Sequence, residues 1–174
     1  MSHKISKLEW AMDEYGELLI RLAYTYVKDI HVAEDIIQDV FLKVYEKDDG
    51  FRFESSYKTY LYQITINRCK DYLKSWSFRS LFFTDNRLSE AETNESTENT
   101  MIRFEEDFEL GEKVLALPIK YREVLILHYY QDYSISEVSS ILGISQNTVN
   151  TRLRRAKERI KSNMSRNEEG DQIG

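Results

Sequence analysis

The residues best suited to bind a charged ligand lie between Gln146 and Arg166. This stretch contains seven Lys or Arg residues against one acid, Glu158, although the whole chain has a formal net charge of −6. A positive helix on a negative protein is typical of a surface that binds nucleic acid. A solvated helix whose Arg side chains cover the core would have a similar composition, so the neighbouring elements must decide between the two.

The elements around this stretch have the pattern of a helix-turn-helix. Ser134 and Glu137 have the spacing of a capping box. Gly143 stands where the end of a helix needs a positive φ, and Ser145 can cap the next helix. Because the turn and both caps coincide with the positive charge, the second helix is predicted to bind the major groove of DNA. Apolar residues at positions i, i+4 and i+7 of that helix should face the core: Val149, Leu153 and Ala156.

The polar and basic side chains of this second helix are the candidate contacts to duplex DNA. Asn and Arg side chains can pair with the edges of adenine and guanine. Short polar residues at a helix start can hold phosphates together with the backbone amides. The candidates are Asn147, Thr148, Asn150, Thr151, Arg152, Arg154 and Arg155. Among them, Arg152 is expected to contact phosphate or solvent.

A second candidate surface combines aromatic and basic residues between positions 56 and 76. Single-stranded DNA is held by stacking on aromatic rings within a basic groove. The candidate stacking residues are Tyr57, Tyr60 and Tyr62, and the candidate phosphate contacts are Arg68, Lys70 and Lys74. Aromatic residues at helical spacing are often core residues, so we expect about half of the tyrosines here to be buried, Tyr72 foremost.

Apolar residues recur at helical spacing along most of the chain, which predicts an all-α fold. The expected helices cover residues 15–28, 32–46, 56–76, 108–117 and 119–131, followed by the helix-turn-helix. Residues 78–107 contain three basic and eight acidic residues and have no apolar period, which predicts a flexible acidic linker. We therefore expect two small helical domains, an N-terminal helical bundle at 1–77 and a helix-turn-helix domain at 108–165, with a disordered tail at 166–174.

Three blocks in this order resemble the two domains of a bacterial extracytoplasmic-function (ECF) sigma factor of the sigma-70 family. They read AEDIIQDVFLKVYE at 33–46, SSYKTYLYQITINRCKDYLKSW at 55–76 and LPIKYREVLILHYYQDYSISEVSSILGISQNTVNTRLRRAKERI at 117–160. The resemblance covers nearly all of residues 12–164. It implies a subunit that binds core RNA polymerase, recognises the −35 and −10 elements of promoter DNA and promotes DNA melting.

The resemblance also implies roles for individual residues. The face of residues 32–46 that lies away from the apolar stripe would bind core RNA polymerase: Glu34, Asp35, Gln38, Asp39 and Leu42. Asn67 aligns with a position that contacts an extruded −10 base, and Asp71 lies one turn further on. The linker would either occupy a nucleic-acid channel of the polymerase or act as a solubilising tether. Many relatives are held by an anti-sigma factor, often membrane-anchored, which is a possible partner here.

Other classes of protein have less support in the sequence. A stand-alone helix-turn-helix regulator would bind its operator without polymerase, and it remains the alternative. An enzyme is not expected, because no nucleophile elbow or Gly-rich phosphate loop occurs. With a single Cys69 and three isolated His residues, neither a metal nor a cofactor is expected. Cys69 could be a reactive thiol or a packing residue. The Cys usage and the absence of a long apolar run favour a cytoplasmic protein without membrane insertion.

Overall fold

The computed structural model describes residues 2–47, 56–82 and 108–170. Every regular element in these ranges is helical, which confirms the all-α prediction. The helices are α1 (Ser2–Val27), α2 (Ile30–Lys47), α3 (Tyr57–Phe82), α4 (Phe108–Ala116), α5 (Ile119–Leu125), α6 (Ile135–Leu142) and α7 (Gln146–Gly170). A π-helical turn, Ile126–Tyr130, continues α5. The chain divides into two compact units, Met1–Ile102 and Arg103–Gly174.

In the first unit, α1, α2 and α3 pack against one another in all three pairs. The connection from α1 to α2 is tight: Lys28 has a φ of 55°, and its N–H donates to the carbonyl oxygen of Tyr24 over 2.8 Å. The carboxylate of Asp29 then accepts the N–H groups of His31 and Val32 at 2.9 and 3.1 Å. This cap starts α2 directly after α1 ends, so the two helices pack as neighbours.

The core of the first unit is built from one face of each helix. The predicted stripe of α2 is buried in full: Ile36, Ile37, Val40, Phe41 and Val44. Leu19 and Leu22 from α1 and Leu61 and Ile66 from α3 complete this core. Ile64 and Leu73, which the pattern also assigns to the core, are only half-buried. Each fully buried side chain of this kind contributes about 1.5–3 kcal/mol through the hydrophobic effect.

The second unit contains the predicted helix-turn-helix with its caps. The backbone N–H of Ser134 donates to the Glu137 carboxylate over 2.8 Å, and the N–H of Glu137 donates to Ser134 Oγ over 3.1 Å. Gly143 closes α6 with a φ of 67°. Ser145 Oγ accepts the N–H of Thr148 at 3.1 Å and so caps α7. These local bonds fix the turn between α6 and α7, and they confirm the capping pattern.

Two helices extend beyond their predicted C-terminal ends, and α1 begins at Ser2, well before the predicted start at residue 15. The predicted linker begins at residue 78, but α3 continues to Phe82, and Ser80 Oγ donates to the carbonyl oxygen of Ser77 in this last part. The predicted tail begins at residue 166, but α7 continues to Gly170. No Pro interrupts either extension, so the helical hydrogen bonds continue once the packed part of the helix has formed. Residues 83–107 of the predicted linker and 171–174 of the predicted tail lie outside the described residues.

Candidate nucleic-acid interface

The beginning of α7 presents its polar side chains on one side and its apolar side chains on the other. Val149, Leu153 and Ala156 are buried, as the spacing predicts. The exposed candidates for DNA contact are Asn147, Asn150, Arg154 and Arg155, and the half-buried candidates are Thr148, Thr151 and Arg152. A major-groove contact is therefore sterically available to the predicted face without any rearrangement of the core.

Arg152 differs from the other basic residues of α7 because it pairs with a buried acid. Its Nη1 atom lies 3.5 Å from Oε1 of Glu123 on α5, and the Glu123 side chain is only 3% exposed. Removing one partner from a buried pair leaves an uncompensated charge and is strongly destabilising. Arg152 therefore links α7 to α5. Glu123 was not among the predicted site residues, although its position in the apolar stretch YREVLIL was an available signal.

Two grooves border the exposed part of α7. One has a volume of about 350 Å³ and is lined by Lys120 and Tyr121 from α5 together with Asn147, Thr151 and Arg155. The other, of about 510 Å³, includes Tyr129, Asn150, Arg154 and Lys157. Both grooves combine aromatic and basic side chains with a polar residue of α7, a composition suited to a DNA backbone.

The π-helical turn positions the aromatic side of the larger groove. In this turn the N–H of Gln131 donates to the carbonyl oxygen of Ile126, five residues earlier, over 3.0 Å. Tyr129, which lies in this turn, is 48% exposed, and Nζ of Lys157 lies 4.7 Å from its ring centroid. His128 Nδ1 lies 2.7 Å from the carbonyl oxygen of Tyr133. No local sequence pattern predicts a π-helical turn. Because this turn determines where Tyr129 lies, Tyr129 was not among the predicted site residues.

On α3, helix geometry separates the predicted stacking residues into two groups. Tyr57, Tyr60, Asn67 and Asp71 are spaced by three, seven and four residues, so they form one stripe along the helix. The two tyrosines are half-buried, and Asn67 and Asp71 are exposed. Tyr62 lies about 140° around the helix from Tyr57 and has no exposed surface.

Tyr62 is therefore a core residue in this structure, and its predicted role as a stacking platform is wrong. The apolar face of α3 includes it because Leu61, Ile66 and Cys69 lie on the same buried side. Tyr72, which was expected to be the most buried tyrosine, is half-buried. The stripe that can meet single-stranded DNA consists of Tyr57, Tyr60, Asn67 and Asp71.

The three basic candidates on α3 have different surroundings. Lys74 is exposed, and Lys70 and Arg68 are half-buried. Arg68 Nη2 donates to Oδ2 of Asp39 on α2 over 2.7 Å. This bond joins a residue of the predicted DNA surface to a residue of the predicted polymerase surface. The side chains of Arg68 and Asp39 are therefore bound to each other. The separate predictions for α2 and α3 did not include this bond.

An aromatic contact from α1 extends the stripe of α3. The Trp10 ring lies nearly parallel to the Tyr57 ring, with centroids 6.3 Å apart, and meets the Tyr15 ring edge-on at 5.6 Å. Nζ of Lys7 lies 5.0 Å from the Tyr57 centroid. Trp10 is 50% exposed. It was not among the predicted site residues, because its relation to Tyr57 depends on how α1 packs against α3.

The predicted polymerase surface on α2 lies opposite the buried stripe. Glu34, Asp35, Gln38 and Leu42 are exposed, and Asp39 is half-buried beside Arg68. Leu42 is 60% exposed, although it is a large apolar residue. Exposed apolar surface within a charged rim is a common composition of protein interfaces.

Cys69 is buried in the core of the first unit. Burial raises the pKa of its thiol to about 12, because the thiolate would lose its hydration. The thiol is therefore protonated and unreactive at neutral pH, which supports the packing interpretation. Among the described residues, no group of His, Cys, Asp and Glu could hold a metal ion. No helix in the described ranges is long and apolar enough to span a membrane.

Comparison with known proteins gives matches on both units. Residues 11–78 match the family Sigma-70 region 2, and residues 107–160 match Sigma-70, region 4. The RNA polymerase sigma factor SigV of Bacillus subtilis (strain 168) is 30% identical over 136 residues, covering 78% of each chain. The ECF RNA polymerase sigma factor SigW of the same organism is 28% identical over 163 residues, covering 88% of this chain and 86% of the relative.

Solved structures share the fold. The sigma factor RpoE in complex with the anti-sigma factor NepR from Bartonella quintana has a TM-score of 0.66 and 22% identity, covering 88% of this chain and 98% of that chain. CnrH, in complex with the cytosolic domain of CnrY, has a TM-score of 0.63 and 17% identity, covering 91% of this chain and 87% of that chain.

The chain belongs to the sigma-70 family of RNA polymerase sigma factors, in its extracytoplasmic-function group. As a sigma factor it binds core RNA polymerase, directs the enzyme to −35 and −10 promoter elements and promotes DNA melting. The stand-alone regulator is not favoured, because both sigma-70 regions are present in one chain.

Proposed function

We propose that the two units divide the work of promoter recognition. Residues 1–77 bind core polymerase through α2 and the −10 element through α3, and residues 108–165 bind the −35 element through α7. The observation that carries this proposal is the exposed polar face at the start of α7, with Val149, Leu153 and Ala156 buried behind it. A face of this kind can enter a major groove while the core stays intact.

On α7 we assign base contacts to Asn150, Thr151 and Arg154, and phosphate contacts to Asn147, Thr148 and Arg155. Asn147 and Thr148 stand in the first turn, where the positive end of the helix dipole attracts an anion. Arg154 is 66% exposed in its side chain, and Glu158 lies 3.9 Å away. A surface ion pair of this length is weak, so guanine can replace Glu158 as the partner of Arg154.

On α3 we assign stacking to Tyr57 and Tyr60, reading of an extruded −10 base to Asn67, and phosphate contact to Lys70 and Lys74. An amide offers both a donor and an acceptor to an unpaired base. Asp71 lies one turn from Asn67 on the same exposed stripe. A carboxylate there repels phosphate, but it can accept a hydrogen bond from the amino group of cytosine.

On α2 we assign polymerase binding to Glu34, Asp35, Gln38 and Leu42, with Leu42 as the apolar centre. Asp39 belongs to the same surface, but its bond to Arg68 gives it a second role within the first unit. The protein acts as a specificity subunit without catalysis of its own. Because it works on polymerase and promoter DNA, we place it in the cytoplasm.

We further propose that an anti-sigma factor, membrane-anchored or free, controls this protein. The support is the shared fold with RpoE, which was solved in complex with the anti-sigma factor NepR. Exposed Leu42 and Trp10 offer apolar contacts for such a partner. An anti-sigma factor that covers the α2 surface would compete with core polymerase.

The test of the proposed function separates polymerase binding from promoter use. Purified core polymerase is titrated with the wild-type protein, with Asp35→Ala/Leu42→Ala and with Asn150→Ala/Arg154→Ala, and the holoenzymes then select duplexes from a randomised pool. We expect the α2 variant to lose affinity for core polymerase. The α7 variant should keep that affinity and lose the selected upstream element. Equal losses of both activities in both variants would reject the division of work. Because all four residues are exposed, folding should be unaffected.

A further inference from the structure

Tyr121 on α5 is surrounded by positively charged side chains from two helices. Nζ of Lys120 lies 5.0 Å from its ring centroid, and the guanidinium carbon of Arg159 lies 4.8 Å from the same point. Arg155 lines the same groove as Tyr121, and the positive charges of Arg155, Lys120 and Arg159 favour the phenolate and lower the pKa of Tyr121. Tyr121 is buried, so this arrangement is held by the core of the second unit.

Two of these cations, Arg155 and Arg159, repel each other. Arg155 and Arg159 are four residues apart on α7, so they lie on the same side of the helix, where like charges are unfavourable. The ion pairs that α7 makes within the described part of the second unit involve Arg152 and Arg154 instead. An aromatic face and a phenol oxygen attract cations without neutralising them. The charge of Arg155 and Arg159 therefore remains available to an anion.

The position of this cluster favours a phosphate of the DNA backbone as that anion. Tyr121 and Arg155 line the groove of about 350 Å³ together with Asn147, Thr148 and Thr151. Asn147 and Thr148 belong to the first turn of α7, where the helix dipole adds positive potential. A DNA strand that passes the start of α7 would bring its phosphates into this groove.

We propose that Tyr121 is a positioning residue that holds Arg155 and Arg159 in place for a backbone phosphate of the −35 duplex. The proposal rests on the assignment of α7 to the −35 element, and it adds a residue of α5 that acts on the DNA through these two cations. Tyr121 acts in two ways: the phenol oxygen orients Arg155, and the ring face holds Arg159 and Lys120.

The two actions can be removed in two steps, first the phenol oxygen alone and then the oxygen together with the ring. Tyr121→Phe keeps the ring and removes the phenol oxygen, and Tyr121→Leu removes both. Tyr133→Phe is the matched control, because Tyr133 is also a buried tyrosine of the second unit but lines neither groove. Each variant is assembled with core polymerase, and the probe is the duplex best enriched from a randomised pool by the wild-type holoenzyme.

The measurement is the affinity for this duplex at several salt concentrations. Each lost phosphate contact lowers the slope of log K against log salt by about 0.9. We expect Tyr121→Phe to lose about one contact and roughly tenfold in affinity at low salt. Tyr121→Leu should lose more, and Tyr133→Phe should match the wild type. A structural defect alone would lower the melting temperature and leave the slope unchanged.

Two results would overturn the proposal. One is a Tyr121→Phe holoenzyme whose slope and affinity equal those of the wild type. The other is an equal loss in Tyr133→Phe, which would show that the effect is not specific to this cluster. If the wild-type holoenzyme enriches no upstream element at all, the assignment of α7 itself fails. The affinity of the wild-type protein for core polymerase, measured separately, distinguishes that failure from the first two results.

Discussion

Helices α7 and α3 both carry residues assigned to DNA, but they differ in how their surfaces are divided. In the first turns of α7, the polar and apolar residues lie on opposite sides, and only one side is buried. In α3 the buried residues also share one side, but tyrosines lie on both sides of the helix, so residue type does not identify the buried face. α3 packs against both α1 and α2. A helix with two packing partners buries residues that a simple amphipathic pattern leaves exposed.

The difference explains which site predictions needed correction. On α7 the predicted buried residues are all buried, and Arg152 has a buried partner that the sequence did not predict, Glu123. On α3 the three predicted stacking tyrosines divide between surface and core, and Arg68 is bound to Asp39. Residue type alone could not separate Tyr62 from Tyr57 and Tyr60. The comparison predicts that substitutions in α3 will affect stability and DNA melting in different proportions at each position.

The largest expected effect is at Tyr62. Tyr62→Ala removes a fully buried ring and should lower the free energy of unfolding by about 3–5 kcal/mol, the usual cost of truncating a large buried aromatic residue. Tyr60→Ala is the control on the same helix and should cost far less stability while it reduces promoter melting. Chemical denaturation measures the first effect, and permanganate reactivity of unpaired thymines measures the second. A small stability loss in Tyr62→Ala would contradict the assignment of Tyr62 to the core.

The next largest effect is expected on α7. Arg154→Ala should weaken binding of holoenzyme to its selected duplex by about 1–3 kcal/mol, because a bidentate contact to a base is lost. Lys161→Ala, on an exposed residue further along α7, should weaken binding of all sequences alike. Competition between selected and scrambled duplexes separates the two. If Arg154→Ala lost affinity equally for both duplexes, its contact would be to phosphate and not to a base.

A smaller effect is expected from Cys69 at alkaline pH. The folded protein holds the thiol neutral up to about pH 12, whereas the unfolded chain ionises near pH 9. The unfolded state therefore loses its proton first, and the stability that depends on Cys69 decreases as pH rises above 9. At pH 10 the loss should be about 1.4 kcal/mol relative to pH 8. Urea denaturation of the wild type and of Cys69→Ala at both pH values isolates this contribution, which should be absent from the variant.

The smallest expected effect concerns the bond between Asp39 and Arg68. The pair is partly exposed, so its contribution to the free energy of unfolding should be about 0.2–1 kcal/mol. Asp39→Ala should therefore change polymerase affinity and −10 melting together, because Arg68 loses its partner. Asp35→Ala, one turn away and exposed, should change polymerase affinity alone. A double-mutant cycle with Arg68→Ala measures the coupling, and a coupling of zero would show that the two surfaces are independent.

Much of the second unit was predictable from local sequence patterns. The capping box of Ser134 and Glu137 and the positive φ of Gly143 are determined by residues within a few positions of each other. The same holds for the buried stripe of α2. Features that depend on packing between distant residues were not predictable in this way. Trp10 and Tyr57 are 47 positions apart in the chain, and their contact exists only because α1 packs against α3.

The sequence by itself determined that this protein is helical, that its second unit contains a helix-turn-helix and that α7 carries the excess of positive charge. These properties follow from periodicity, capping and composition, which act over short distances along the chain. Only the tertiary structure decided that Tyr62 is buried, that Arg152 pairs with Glu123 and that the guanidinium of Arg159 lies against the Tyr121 ring. Such outcomes depend on which helix covers which face, because burial and charge pairing are properties of helices packed together.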